Sequence, residues 1–126
     1  DRLIPTDFNT TITFDVVNLR HSMERARLLS SATQNGTVKL EIKGGVVSAH
    51  VHSPEVGKVN EEIDTDQVTG EDLTISFNPT YLIDSLKALN SEKVTISFIS
   101  AVRPFTLVPA DTDEDFMQLI TPVRTN

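Results

Sequence analysis

An α+β fold, with two helices packed on largely antiparallel sheets, is what this sequence predicts, and three observations predict it. Apolar residues alternate with polar ones over several short β-branched stretches, the period of half-buried strands. Two longer stretches change to a 3.6-residue period, the mark of an amphipathic helix. The order strand-helix-strand-strand-strand then occurs twice, and most connections are short enough to be hairpins, so the strands pair antiparallel and both helices cover sheet faces. The repeat is one of element order, with no residue-level repeat beside it.

Taken in order, Thr10–Phe14 reads as a strand because β-branched and aromatic residues fit a pleated surface. Asp15 is placed to cap the helix that follows, where Leu19, Met23, Ala26 and Leu29 recur between Val16 and Ser30. Thr37–Lys43 alternates, with Val38, Leu40 and Ile42 on one face. Gly44-Gly45 signals a hairpin, since both positions of a tight turn accept positive φ there. Val46–His52 continues with Val47, Ala49 and Val51 inward, Pro54 interrupts, and Lys58–Asp64 is a polar strand suited to a sheet edge. In the second half, Asp72–Phe77 is a strand with Leu73, Ile75 and Phe77 inward. Asn78-Pro79 is an N-cap with a first-turn proline, opening a helix to about Leu89 along Leu82, Leu86 and Leu89. Strands over Lys93–Ile99, Pro104–Val108 and Phe116–Thr121 complete the pattern, with the acidic turn Asp111–Asp115 before the last.

The 126 residues suffice for one domain with its own core and not for two ordinary ones, so the whole of 1–126 is read as a single domain. There is no Cys, which removes disulfides and thiolate metal sites and fits a reducing compartment. No apolar stretch approaches the length of a membrane span, and the first residues lack a secretory pattern. The chain begins without Met, which points to a piece of a longer protein. Net charge is −7, from 18 acidic against 11 basic residues, and this opposes tight phosphate binding.

The residues offer little chemistry of their own. No nucleophile elbow, zinc-protease helix or phosphate-binding glycine loop is present, so no catalytic residue, metal or cofactor is expected. His50 and His52 share one face of a strand, the geometry of a metal pair, but no third ligand stands at a suitable spacing and two exposed histidines are the better reading. His21 falls off the apolar stripe of its helix and reads as solvated. Asp111, Asp113, Glu114 and Asp115 lack the glycine and terminal Glu of a calcium loop.

Two segments ask for more. Leu28 lies about 100° around its helix from Leu29, so one stripe does not readily bury both. The end of the chain, Leu119-Ile120-Thr121-Pro122-Val123-Arg124, is apolar where termini are usually polar. After Pro122 the backbone is extended and lacks one N–H, so it does not continue a sheet regularly and is free to line a groove.

At these residues the chain resembles the bacterial DNA sliding clamps, the beta subunit of DNA polymerase III. The closing LITPVRTN is similar to the clamps' apolar-Pro-apolar-Arg tail, and FNPTYLIDSLKAL (Phe77–Leu89) to a segment of their last domain. SPEVGKVNEEI (Ser53–Ile63), AVRPFTLVP (Ala101–Pro109) and Arg2-Leu3-Ile4-Pro5 resemble other clamp stretches in the same order, so the likeness covers essentially the whole chain.

The resemblance implies a third, C-terminal domain of a three-domain clamp, not an enzyme, cytoplasmic and nucleoid-associated in a bacterium. Two such chains would close head-to-tail into a ring around duplex DNA and hold the polymerase on its template. It implies a pocket for short linear peptides of polymerases, clamp loader and repair proteins, mapped here to Arg2, Leu3, Asn78, Tyr81, Val102, Pro104, Leu119, Ile120, Thr121, Pro122, Val123 and Arg124. A ring seam maps to Leu28, Leu29, Glu61 and Glu62, with the isolated domain monomeric. DNA-facing candidates are Arg20, Arg27 and Lys87. Enclosure would also reconcile DNA with the negative charge, since a ring needs only a modest basic lining. A stand-alone peptide-binding module is the alternative from a different class.

Overall fold

The computed structural model describes residues 9–30, 36–53, 57–110 and 116–123. Strand β1 (Thr10–Asp15) leads into helix α1 (Val16–Ser30), followed by β2 (Val38–Lys43), β3 (Val46–Ser53), β4 (Gly57–Ile63) and the short β5 (Gln67–Gly70). Strand β6 (Leu73–Phe77) leads into α2 (Pro79–Ala88), then β7 (Lys93–Phe98), β8 (Phe105–Pro109) and β9 (Gln118–Ile120). The expected elements are all present. Strand β5 is the addition, missed because its Gln-Val-Thr-Gly has a single apolar side chain to show a period. The turn Asp111–Asp115 and Pro54 lie outside the described residues.

The strands form two antiparallel sheets, one in the order β5-β1-β7-β8-β9 and the other β4-β3-β2-β6. The two halves therefore exchange their first strands: β1 sits among strands of the second half, and β6 closes the sheet of the first. The registers of the two exchanges match. Phe14, Ile12 and Thr10 face Val94, Ile96 and Phe98 across β1 and β7, as Phe77, Ile75 and Leu73 face Val38, Leu40 and Ile42 across β6 and β2.

Aligned in this way, a residue-level repeat emerges after all. Ile12, Phe14, Leu19 and Ser22 recur as Ile75, Phe77, Leu82 and Ser85, a step of 63 positions from Ile12 to Ile75. Asp15 and Asn78 cap the two helices, accepting from the N–H of Asn18 at 3.0 Å and of Thr80 at 2.9 Å, each cap contributing about 1 kcal/mol. The repeat was hidden because the connection after α1 is longer, so the following strands are offset differently, Val38 to Val94 being a step of 56.

The core lies between helices and sheets. Helix α1 packs on α2 and β3, while α2 packs on α1 and β9. Four phenylalanines, Phe14, Phe77, Phe98 and Phe105, are fully buried. Phe105 meets Phe77 edge-on at 5.2 Å and 64° and lies 4.9 Å from Phe98, which ties one sheet to the other. Gly44 and Gly45 turn the β2–β3 hairpin at φ +60° and +82°, as their sequence predicts.

Gly70 is held by a closer constraint. It ends β5 at φ +102°, and a Cβ there would lie 1.9 Å from the carbonyl oxygen of Asn9. That carbonyl accepts from Glu71 N–H, and Thr10 Oγ donates to the Glu71 carbonyl, so the two segments cannot part cheaply. Gly70→Ala is expected to destabilise the fold by more than about 1 kcal/mol, through both strain and collision. Urea unfolding of the two proteins checks this, and an unchanged midpoint would refute it.

Candidate functional site

A groove of about 500 Å³ runs between α2 and β9. The helix gives it Tyr81, Asp84, Ser85 and Ala88, the i, i+3, i+4, i+7 positions of one stripe, and the chain leading through β9 gives Phe116, Gln118, Leu119, Ile120 and Thr121. Tyr81 is 63% exposed and Leu119 53%, high for residues of their size. Ser85 Oγ donates to the Tyr81 carbonyl at 3.0 Å and is thereby spent within the helix. The Tyr81 hydroxyl, the Asp84 carboxylate and the Gln118 amide remain as polar points on an otherwise apolar trough. Such a surface suits aliphatic or aromatic anchors of an extended peptide, oriented by a few hydrogen bonds.

Of the residues mapped to a peptide pocket, Tyr81, Leu119, Ile120 and Thr121 come together here. Ile120 is 3% exposed and pairs with Phe105 across β8 and β9, so it forms the floor rather than a wall. Val102 and Pro104 stand exposed on the β7–β8 connection and do not line the groove. The Asn78 side-chain oxygen is engaged in capping α2. The tail is less free than its proline suggested: Val123 N–H donates to the Ser76 carbonyl of β6 at 2.8 Å. Arg2, Leu3 and Arg124 lie outside the described residues. Sequence reasoning missed Asp84, Ser85, Ala88, Phe116 and Gln118, although the helical spacing from Tyr81 already put three of them on its stripe.

A second groove is the counterpart of the first by the internal repeat. It lies between α1 and β4, and its helix residues Asn18, His21, Ser22 and Arg25 are the repeat equivalents of Tyr81, Asp84, Ser85 and Ala88. Its chemistry is the opposite. Arg25 holds Glu61 through Nε to Oε1 at 3.1 Å and through Nη2 to Oε2, and Ser22 Oγ donates to Oε2 at 2.8 Å. The hydrogen bonds from Arg25 keep the Glu61 carboxyl below the usual glutamate range, with Ser22 adding to the effect. Among the residues mapped to a ring seam, Leu28 is 75% exposed on α1, Leu29 packs against the core, Glu62 is exposed, and Glu61 is bonded within the domain.

The mapped DNA-facing cations differ from one another. Arg20 Nη1 lies 3.5 Å from Glu24, one turn along α1. Arg27 is half-buried in the last turn of α1, and Lys87 is exposed in the last turn of α2. His50 is engaged with Glu41 at 3.0 Å and Asn60 at 2.5 Å, and His52 is exposed. Among the described residues no three His, Cys, Asp or Glu side chains are gathered to hold a metal. Lys93 joins Asp66 at 2.8 Å and Asp15 at 3.7 Å, and the Asp66 hydrogen bond raises its pKa. This pins β5 and β1 to β7.

Residues 1–124 match the family described as DNA polymerase III beta subunit, C-terminal domain. The chain is 98% identical over all 126 residues to the beta sliding clamp of Streptococcus pneumoniae, covering 33% of that protein. It is 43% identical to that of Bacillus subtilis, with 98% of this chain and 32% of the relative aligned. A crystal structure of the S. pneumoniae DNA polymerase III beta chain superposes with a TM-score of 0.94 at 98% identity, over 99% of this chain and 33% of that one. The Thermotoga maritima beta subunit does so with a TM-score of 0.88 at 31% identity, over 99% and 33%. The chain thus spans about a third of the length of these relatives.

The Arg25–Glu61 pair carries a pH dependence of definite sign. A carboxyl whose folded pKa is lowered stabilises the fold above its unfolded pKa, about 4.3 for Glu, and loses that contribution as pH falls through the folded value. Glu61→Gln is therefore expected to be less stable than wild type at about pH 7, by no more than about 1 kcal/mol for so exposed a pair. The gap should close by about pH 3. Urea unfolding of both proteins at the two pH values measures it, and a gap that widens on acidification would contradict the assignment.

Proposed function

Because the chain belongs to the family formed by the C-terminal domain of the DNA polymerase III beta subunit, we propose that it is the third domain of a sliding clamp. In that reading it is not a catalyst. It forms part of a closed homodimeric ring around duplex DNA in the bacterial cytoplasm, and docks short linear peptides of polymerases, clamp loader and repair proteins. The single observation that carries the docking role is the apolar α2–β9 groove, where Tyr81 and Leu119 stand exposed beside the buried Ile120 floor. A Gln-then-Leu-x-Phe type peptide would set its aliphatic and aromatic anchors on that floor and its polar group toward Asp84 or Gln118. Val102, Pro104 and the tail extend the rim, and Arg2, Leu3 and Arg124 are assigned to the same cleft by resemblance.

The ring explains the charge. Retention by enclosure needs no tight phosphate contacts, so a net charge of −7 is compatible with DNA in the pore. Arg20, Arg27 and Lys87 are the proposed lining, with Arg20 partly offset by Glu24. The α1–β4 edge, with exposed Leu28 and the outermost strand of its sheet, is the proposed seam with a second chain.

Titration of a fluorescent Gln-then-Leu-x-Phe peptide against wild type and Tyr81→Ala tests the groove. The variant should lose roughly 1–3 kcal/mol of binding free energy if the ring is an anchor. Equal affinities with unchanged circular dichroism would move the pocket elsewhere. The enclosure reading is tested separately by anisotropy with a duplex at physiological salt. The isolated chain should show only a weak, salt-sensitive background, and tight binding would overturn retention by topology.

A further inference from the structure

One sheet edge is open where the internal repeat leads one to look for a strand. On β1, the edge away from β7 is covered by β5, with Thr69 opposite Thr11 and Gln67 opposite Thr13. The chain arrives there through Asp66, whose N–H donates to the Thr13 carbonyl at 2.8 Å. Strand β6 is the counterpart of β1, and its edge away from β2 is approached in the same manner. Val123 N–H donates to the carbonyl of Ser76, the repeat equivalent of Thr13, also at 2.8 Å. There the likeness stops. Among the described residues no strand lies beyond β6, which ends its sheet.

The direction of main-chain polar groups alternates along an antiparallel strand. Since Ser76 directs its carbonyl to the open side, Thr74, two residues before it, directs its N–H and C=O there too. Thr74 is exposed, and it is the repeat equivalent of Thr11, which β5 covers. An edge with outward N–H and C=O groups is a template for another extended chain.

We propose that the open edge of β6 is a β-augmentation seat, in which an extended stretch of a peptide partner pairs with Thr74 as β5 pairs with Thr11. The proposal rests on the peptide-docking reading above and adds a second point of attachment to it. Groove and edge are joined by one short tail: β9 gives Leu119 and Ile120 to the groove, and a few residues later Val123 reaches Ser76. A segment flanking the anchored motif would thus pass alongside β6. The seat reads main chain, so its ligand is an extended stretch with a free N–H and C=O at the paired position, and a proline there is excluded.

Amide exchange followed by mass spectrometry on the full-length protein tests this. Two probes are used: a core Gln-then-Leu-x-Phe peptide, and the same peptide with about six flanking residues on each side, the length of an ordinary strand. The longer probe should protect residues 73–77 together with 116–123, and the core probe only the latter. Thr74→Pro removes an N–H that the sheet does not use, so the fold should tolerate it. It should weaken the longer probe about three- to tenfold, the worth of one main-chain hydrogen bond, and leave the core probe unchanged. Should that variant not fold, N-methylation along the flanks of the probe must produce the same loss. Equal affinity for methylated and unmethylated probes overturns the seat. Protection of 116–123 alone by the longer probe also overturns the seat and leaves the groove reading standing. Absence of protection from either probe overturns both. If Thr74 is already slow to exchange without peptide, and becomes fast when residues 124–126 are removed, the edge belongs to the chain's own tail and the proposal fails.

Discussion

Phe14 and Phe77 each sit on a strand that has left its own half of the domain. Phe14 packs from β1 within the sheet of the second half, and Phe77 from β6 within the sheet of the first, and both are fully buried. Neither half can bury its helix without the strand lent by the other. The exchange also sets where each helix starts, since Asp15 and Asn78 cap α1 and α2 directly after the exchanged strands. A single register, Phe14 against Val94 and Phe77 against Val38, thus positions both helices, both grooves and the Phe77–Phe105 contact between the sheets. The contacts involved are distant in sequence, so folding must close long loops before the core rewards it.

Most of this was legible in the residues. Strand and helix periods were strong because each element buries one face, as Val38, Leu40 and Ile42 do on β2. Gly44-Gly45 and Asn78-Pro79 carry their own conformational chemistry and could be read locally. Strand β5 could not, since it is held by pairing with β1 and by the Lys93–Asp66 contact rather than by an apolar face of its own. The exchange of first strands was equally out of reach: hydrophobic period specifies which face is buried and is silent about which strand lies alongside.

The site was legible in part for the same reason. Tyr81 and Leu119 drew notice as large apolar or aromatic groups at the end of a helix and in an apolar tail, and they do meet. Val102 and Pro104, mapped by resemblance, lie on a connection outside the groove. Asp84, Ala88 and Gln118 went unnoticed because each alone is an ordinary surface residue. Only the approach of β9 to α2 turns them into a lining.

The two grooves show how a duplicated frame acquires two kinds of edge. Their helix residues occupy equivalent positions, and Ser22 and Ser85 are both buried. The fourth position has diverged from Arg25 to Ala88. With Arg25, the facing strand supplies Glu61, and the groove is filled by an ion pair and its hydrogen bonds. With Ala88, nothing spans the gap, the trough stays apolar, and Leu119 is left exposed across it. A charged groove closed by its own pair gains little from an apolar ligand, because opening it would strand Arg25 and Glu61 without partners. An apolar groove has no such internal competitor, and burial of Tyr81 and Leu119 is the favourable term still unspent. The difference between a self-satisfied edge and a receptive one thus rests on one pair of equivalent positions, 25 and 88, within an otherwise repeated helix stripe.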